Sequence, residues 1–373
     1  MRIRMSESGL KRWLDSLGAA VAAAHPLVAT RFVKLGSKML RVLVHDAEFV
    51  PQIDKQLAWS VRSEQKKWDA TLVVWREREI ERLVASFGAN DFAIRARMRV
   101  EALASKRRCC NLEIMSERYS HWNPVVFLHP EDGFVEGVDQ TTNTYYYGVR
   151  NPDPEELIKE GHLFVQFVNQ IVKSPTANLA HGACVGMAGN GVLLCGTGHR
   201  GKSTLTVLAL LKGFEYVSDD YQILEQENGQ LYAWPFYSII TLSPTMYNEM
   251  YADFKGKFVS MNARKDKYVF SISPYHDQFR DKYPIRACLF PEIVSDPDPS
   301  IAPCTPQERS RAIAQLTGST VRQMRDIHSP QTIKKLADMI KDYPFYKINL
   351  CRDIYRNVEC LREFCQTTIA GEN

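Results

Sequence analysis

No stretch of the 373-residue sequence approaches the roughly 18 uninterrupted apolar residues that a membrane helix needs. A helical membrane protein is therefore not expected. There is no basic tract either: 47 Lys and Arg stand against 43 Asp and Glu, a formal net charge of +4 with the two signs interspersed. Nucleic acid as a partner gets no support from charge, although basic side chains near a pocket could still meet a phosphorylated ligand. No C-x-x-C pair occurs, and the nine cysteines are odd in number and scattered apart from Cys109 and Cys110. That pattern offers neither a disulfide framework nor a zinc site and points to reduced thiols in a cytoplasmic protein. Internal repeats, low-complexity tracts and long disordered linkers are also missing.

What remains is a globular composition, 45% apolar and 24% charged, at a length that suits two domains. Near the start, "SLGAAVAAAHPLVA" loosely resembles a secretion signal. Glu7 and Asp15 precede its apolar part, His25 and Pro26 interrupt it, and Leu10, Trp13, Leu14 and Leu17 have amphipathic spacing, which favours a packed helix.

Residues 1–150 read as an α+β region. "RFVKLGSKMLRVLVHD" is a hairpin about Gly36-Ser37, "DAEFVPQIDKQLAWS" is helical, and "ATLVVWRE", "CNLEIMS", "NPVVFLHPEDGFVEGVD" and "TNTYYYGVRNP" are strands rich in antiparallel pairing. The charged stretch from Arg76 to Arg108 carries no assignment. Residues 151–373 read as a second domain, entered by a helix over "DPEELIKEGHLFVQFVNQIVKS" with Asp153 and Pro154 at its start. "ANLAHGACVGM" is expected to be one strand, and "YQILEQENGQLYAWPF" a hairpin turning at Glu227-Asn228-Gly229. The "TPQERSRAIAQLTG" helix carries a capping box, Thr305 with Glu308, and is expected to stop at Gly318.

The chemistry concentrates in "GVLLCGTGHRGKSTLTVLALLKGFEYVSDD". Gly196-Thr197-Gly198-His199-Arg200-Gly201-Lys202-Ser203, followed by Thr204, matches G-x-x-x-x-G-K-[ST] between a buried strand and a short helix. In that context loop N–H groups and the helix N-terminus can cradle a phosphate, Lys202 can reach its oxygens, and Ser203 can offer a hydroxyl to Mg²⁺. The next strand ends in Asp219-Asp220, one carboxylate for a metal and one for a proton. Arg200 is the best further phosphate clamp. Arg264, Lys265 and Lys267 read first as a charged surface turn and second as a clamp on the γ-phosphate.

These residues resemble the bacterial HPr kinase/phosphorylase family and its wider HPr-kinase-like relatives, which share a phosphate-binding core with phosphoenolpyruvate carboxykinases. The likeness rests on His181-Gly182, on Gly196 to Ser203 and on Asp219-Asp220, and covers roughly residues 175–245. It implies an α/β P-loop core with a mixed sheet, preceded by the α+β N-terminal domain, in an ATP- and Mg²⁺-dependent kinase. It further implies Asp219 as the general base, Asp220 with Ser203 on the metal, and His181 touching Asp219 to tune its charge. Thr204 stands where those kinases usually carry an acidic residue, and "WPFYSIITLSP" lacks their glutamate-arginine-glycine signature. The resemblance therefore implies neither phosphorylase activity nor HPr as the substrate. It fits better the divergent group whose members modify peptides or small molecules, including kinases that tailor lasso peptides. The expected acceptor is a serine-like hydroxyl on a peptide, protein or small metabolite, recognised by the N-terminal region. The alternatives are a nucleotide hydrolase, a carboxykinase-like enzyme and a nucleotide-gated peptide-binding module; the sequence leaves homo-oligomer formation open.

Overall fold

The computed structural model describes residues 2–5, 7–77, 112–116, 124–129, 134–150, 163–262, 266–323 and 329–369. They divide into two compact units. One is drawn from within Met1–Val33, Met39–Ile53 and Arg62–Leu157, the other from within Lys34–Lys38, Asp54–Val61 and Ile158–Asn373.

The first unit is built on a nine-stranded mixed sheet. Its strands are β1 (Arg2–Met5), β2 (Ala29–Leu35), β3 (Lys38–Val44), β4 (Val61–Arg62), β5 (Ala70–Arg76), β6 (Leu112–Ser116), β7 (Pro124–His129), β8 (Phe134–Asp139) and β9 (Thr144–Val149). They lie in the order β1-β6-β7-β8-β9-β5-β3-β2-β4. Antiparallel pairing runs from β6 to β9, but β1–β6, β3–β5 and β5–β9 are parallel. That mixture departs from the antiparallel expectation for a physical reason: β5 is a near-continuous apolar run, buried along almost its whole length, as a central parallel strand requires. Helix α1 (Glu7–Ala24) buries Leu14 and Leu17 of the predicted stripe together with Val21, while Trp13 is half-buried, and α2 (Phe49–Gln56) buries Phe49 and Ile53. The unassigned charged stretch lies outside the described residues except for Arg76, which ends β5, and Glu77.

The second unit contains α3 (Val165–Val172), β10 (Ala177–His181), β11 (Ala183–Met187), β12 (Asn190–Leu194), α4 (Lys202–Leu211), β13 (Glu215–Ser218), β14 (Tyr221–Glu227) and β15 (Gln230–Trp234). Beyond these come β16 (Ile239–Leu242), α5 (Pro244–Met250), β17 (Lys257–Asn262), β18 (Lys267–Ser271), β19 (Tyr283–Ile293) and β20 (Ser300–Pro303). The chain continues through α6 (Pro306–Gln323), α7 (Ser329–Ile340), β21 (Phe345–Leu350) and α8 (Ile354–Phe364). The main sheet runs β10-β14-β15-β19-β12-β11-β13, with β21 on β19 and β20 on β21; β16, β18 and β17 form a smaller sheet.

Alternation along β12 sends Val192 and Leu194 into one core, with Leu205 and Leu208 of α4 and Val358 and Leu361 of α8. Leu193 and Cys195 enter the other, with Ala312 and Leu316 of α6 and Leu336 and Ile340 of α7. Helices thus cover both faces of the sheet. Cys184, Cys195 and Cys288 are free thiols with no solvent exposure.

Three sequence expectations change here. The "ANLAHGACVGM" strand is broken at Gly182 into β10, which pairs with β14, and β11, which pairs with β12 and β13. A Cβ at Gly182 would sit 3.0 Å from both Leu194 O and Gln222 Nε2, so the crossing between partners is made where a side chain would crowd the neighbouring backbone. The helix expected from Asp153 is not continuous: Leu163 and Phe164 form a turn, with Phe164 at φ 62°, before α3 begins; residues 151–162 lie outside the described set. Helix α6 carries the capping box, Thr305 N donating to Glu308 Oε2 at 2.9 Å and Glu308 N to Thr305 Oγ1 at 3.3 Å. It runs through Gly318 to Gln323, because Ser319 and Thr320 keep burying one face beyond the glycine.

Candidate active site

The site begins where β12 ends. Residues 195–201 leave the sheet edge, and α4 starts at Lys202 directly behind Gly201, whose φ of 84° is left-handed. A Cβ on Gly201 would also meet Leu350 Cδ1 at 2.5 Å, so the loop seats directly on the end of β21. Gly198 and His199 are exposed at its tip and His199 takes φ 62°. Lys202 is buried, at 5% exposure, and its ammonium donates to Gly196 O and Thr197 O, each at 2.9 Å. Burial pulls the Lys202 pKa down, while the carboxylates of Asp220 and Asp219 pull it up. Arg200 faces Glu292 at 3.5 Å, and Glu292 in turn meets Lys347 at 3.4 Å.

The acidic pair arrives through strand pairing. Cys184 is the register partner of Ser218, and Ala183 of Leu194, so β12 and β13 finish at the same edge of the sheet on either side of β11. Asp219 and Asp220 therefore emerge level with the loop. Asp220 has φ 68°, and Tyr221 N donates to Asp219 O at 2.9 Å, closing a three-residue turn between β13 and β14. Gly182 N donates to Asp220 O at 2.9 Å, which ties that turn to the β10–β11 crossing.

Asp219 is 2% exposed, and neither carboxylate oxygen has a hydrogen-bond partner among the described residues. Burial first and the Asp220 charge second push its pKa up from 3.8 to about 7. Lys267 at the start of β18, Ser203 and Lys202 draw it down in part; Ser203 does so by proximity, without a hydrogen bond of ordinary geometry. The same burial keeps the Tyr216 phenol neutral, its pKa raised well above 10 by desolvation and by the two aspartates.

His181 ends β10 opposite Tyr221, with its ring 5.3 Å from the tyrosine ring and its backbone N–H on Thr320 Oγ1 at 2.9 Å. No hydrogen bond joins it to Asp219 in this structure. Arg264 and Lys265 lie outside the described residues, and Lys267 alone of that group is described beside the acids. Sequence reading did not single out Gln315 of α6, whose Oε1 accepts the Thr197 N–H at 3.3 Å. Its only signal is a glutamine flanking the apolar stripe of α6, beside Ala312 and Leu316.

Sequence comparison finds no matching family model and no matching curated protein. Among solved structures a weak neighbour is the HPr(Ser) kinase/phosphatase from Coxiella burnetii, at 14% identity and TM-score 0.28, over 52% of this chain and 94% of that one. No helix among the described residues is long and apolar enough to cross a membrane.

Proposed function

We propose that the protein is a kinase that uses ATP and Mg²⁺ to phosphorylate a hydroxyl on a peptide, protein or small metabolite. One observation carries the reading: a buried aspartate with two unpartnered oxygens stands at the sheet edge where a glycine-rich loop ends in a buried lysine. A carboxylate desolvated without partners is costly, and such sites are kept where the group has chemical work to do. A pKa near 7 suits a general base.

In this reading the amides of residues 196–204 and the N-terminus of α4 hold the phosphates of ATP. Lys202 exchanges its loop carbonyls for phosphate oxygens and offsets their charge. Asp219 accepts the proton of the acceptor hydroxyl as its oxygen bonds to the γ-phosphorus; the bond from that phosphorus to the β–γ bridging oxygen breaks, and ADP leaves. Ser203 and Asp220 would supply hard oxygen donors of the kind Mg²⁺ takes. The described residues contain no cluster of three or more His, Cys, Asp or Glu arranged for a metal, and a magnesium site of this type needs none. When bound, the metal neutralises phosphate charge. His181 acts on the acids through Tyr221 and the turn, as a positioning residue.

The test is transfer of labelled γ-phosphate from ATP to small-molecule, peptide and protein fractions of a host extract. The reading expects label in an acceptor fraction with the native protein and none with Asp219→Asn. Label released only as free phosphate would replace the kinase with a hydrolase.

A further inference from the structure

Beside the loop, on the side away from Asp219, is a cavity of about 190 Å³ whose walls include Thr204 and Leu208 of α4, Met246 of α5, Ile293, Leu350 and Ile354. The geometry points to this cavity as the seat of the nucleobase of the nucleoside triphosphate whose phosphates the loop holds, an inference that rests on the kinase reading above.

Strands β12, β19 and β21 are parallel neighbours, and Leu194 at the end of β12 is level with Leu289. Strands β19 and β21 run on together from Phe290 to Ile293 and from Lys347 to Leu350. They form a wall along one flank of the loop, while β13 delivers Asp219 on the other. Ligands of open α/β sheets lie outside the carboxyl ends of such strands. The cavity shares Gly201 and Thr204 with the loop, so one ligand can span both. A triphosphate with its transferable end toward Asp219 must carry the rest of the nucleotide toward this wall.

The walls are mostly aliphatic, and the amide at the cavity's edge is already engaged: Asn357 Nδ2 donates to Cys351 O at 3.0 Å and Asn357 Oδ1 accepts from Cys351 N at 2.9 Å. A second charged group has no counter-charge there, whereas a flat heterocycle gains dispersion and apolar contact on its faces. Ile293, 60% exposed at the rim, is the apolar surface such a ring would cover. The volume suits one ring system and falls short of the roughly 300 Å³ at which drug-sized ligands begin.

Calorimetric titration with ATP and with tripolyphosphate, each with Mg²⁺, tests the assignment on the native protein and on two variants. Met246→Trp fills the cavity; Ile293→Ser trims its exposed rim and spares the fold. The native protein is expected to bind ATP at least about tenfold more tightly than tripolyphosphate. Met246→Trp should erase that advantage and Ile293→Ser should reduce it about threefold, with tripolyphosphate affinity unchanged in both. Equal native affinities for the two ligands, or an ATP affinity indifferent to both substitutions, would overturn the assignment while leaving the phosphate loop intact. If Met246→Trp does not fold, Ile293→Ser with the native comparison decides. Failure of the native protein to bind either ligand would remove the kinase reading and this inference with it.

Discussion

Replacing Asp219 by asparagine should stabilise the protein, and by an amount that depends on pH. The folded chain holds this carboxyl at a pKa of about 7 against an ordinary 3.8, because burial and Asp220 both oppose its charge. Below 3.8 both folded and unfolded states carry the proton and the site adds no pH-dependent cost. As pH rises from there, the unfolded chain releases the proton while the folded chain keeps it, so stability falls until about pH 7 and is level above it. At 1.36 kcal/mol per pKa unit the full loss is about 4 kcal/mol, an upper bound that local relaxation lowers. Asparagine has no such term. Its amide is as poorly partnered as the protonated acid, so that cost is a constant offset. Thermal unfolding of the two proteins between pH 4 and 8.5 reads the difference. At roughly 2–4 °C per kcal/mol for a unit of this size, the variant should gain at most about 8–16 °C on the native protein across that range. A gap that does not change with pH would show that Asp219 is paired or solvated in the folded protein and would undo the argument for its role.

Lys202→Ala should weaken ATP binding and transfer together, since it removes the cation from the cradle along with its two bonds to the loop carbonyls; titration and transfer assays on one preparation check both. Gly201→Ala should cost about 2–4 kcal/mol from its left-handed φ and the 2.5 Å approach to Leu350, and a chemical denaturation curve unchanged from the native would contradict the seating of the loop. Gln315→Glu should lower ATP affinity at least about tenfold by facing the phosphates with a carboxylate, whereas Gln315→Ala, which only frees the Thr197 N–H, should not weaken it. Thr305→Ala should destabilise by about 1 kcal/mol through loss of the capping box, with transfer unaffected once folded.

The parts of this site written into adjacent residues are legible in the sequence alone. Gly196 to Ser203 announces a turn from strand to helix because glycines, a lysine and a helix-forming run stand in fixed order, and Asp219-Asp220 closes an apolar strand. Which strands become neighbours is not legible there. That β13 ends level with β12 depends on Gly182 letting the chain leave β14 for β12 and β13, a packing fact about Leu194 O and Gln222. The wall of β19 and β21 joins segments far apart in sequence, so the cavity has no local signature. Gln315 reaches Thr197 from a helix more than a hundred residues away. Gly318 misleads as a helix stop because burial of Ser319 and Thr320 outweighs the roughly 1 kcal/mol that one glycine costs a helix.

The central claim is that Asp219 takes a proton from a hydroxyl at the γ-phosphate of ATP. Its most direct test is labelled γ-phosphate transfer to fractionated host extract, run with the native protein and Asp219→Asn at equal, saturating ATP. The account predicts label in one acceptor fraction with the native protein only, and ATP bound by both. Equal labelling by Asp219→Asn would contradict it.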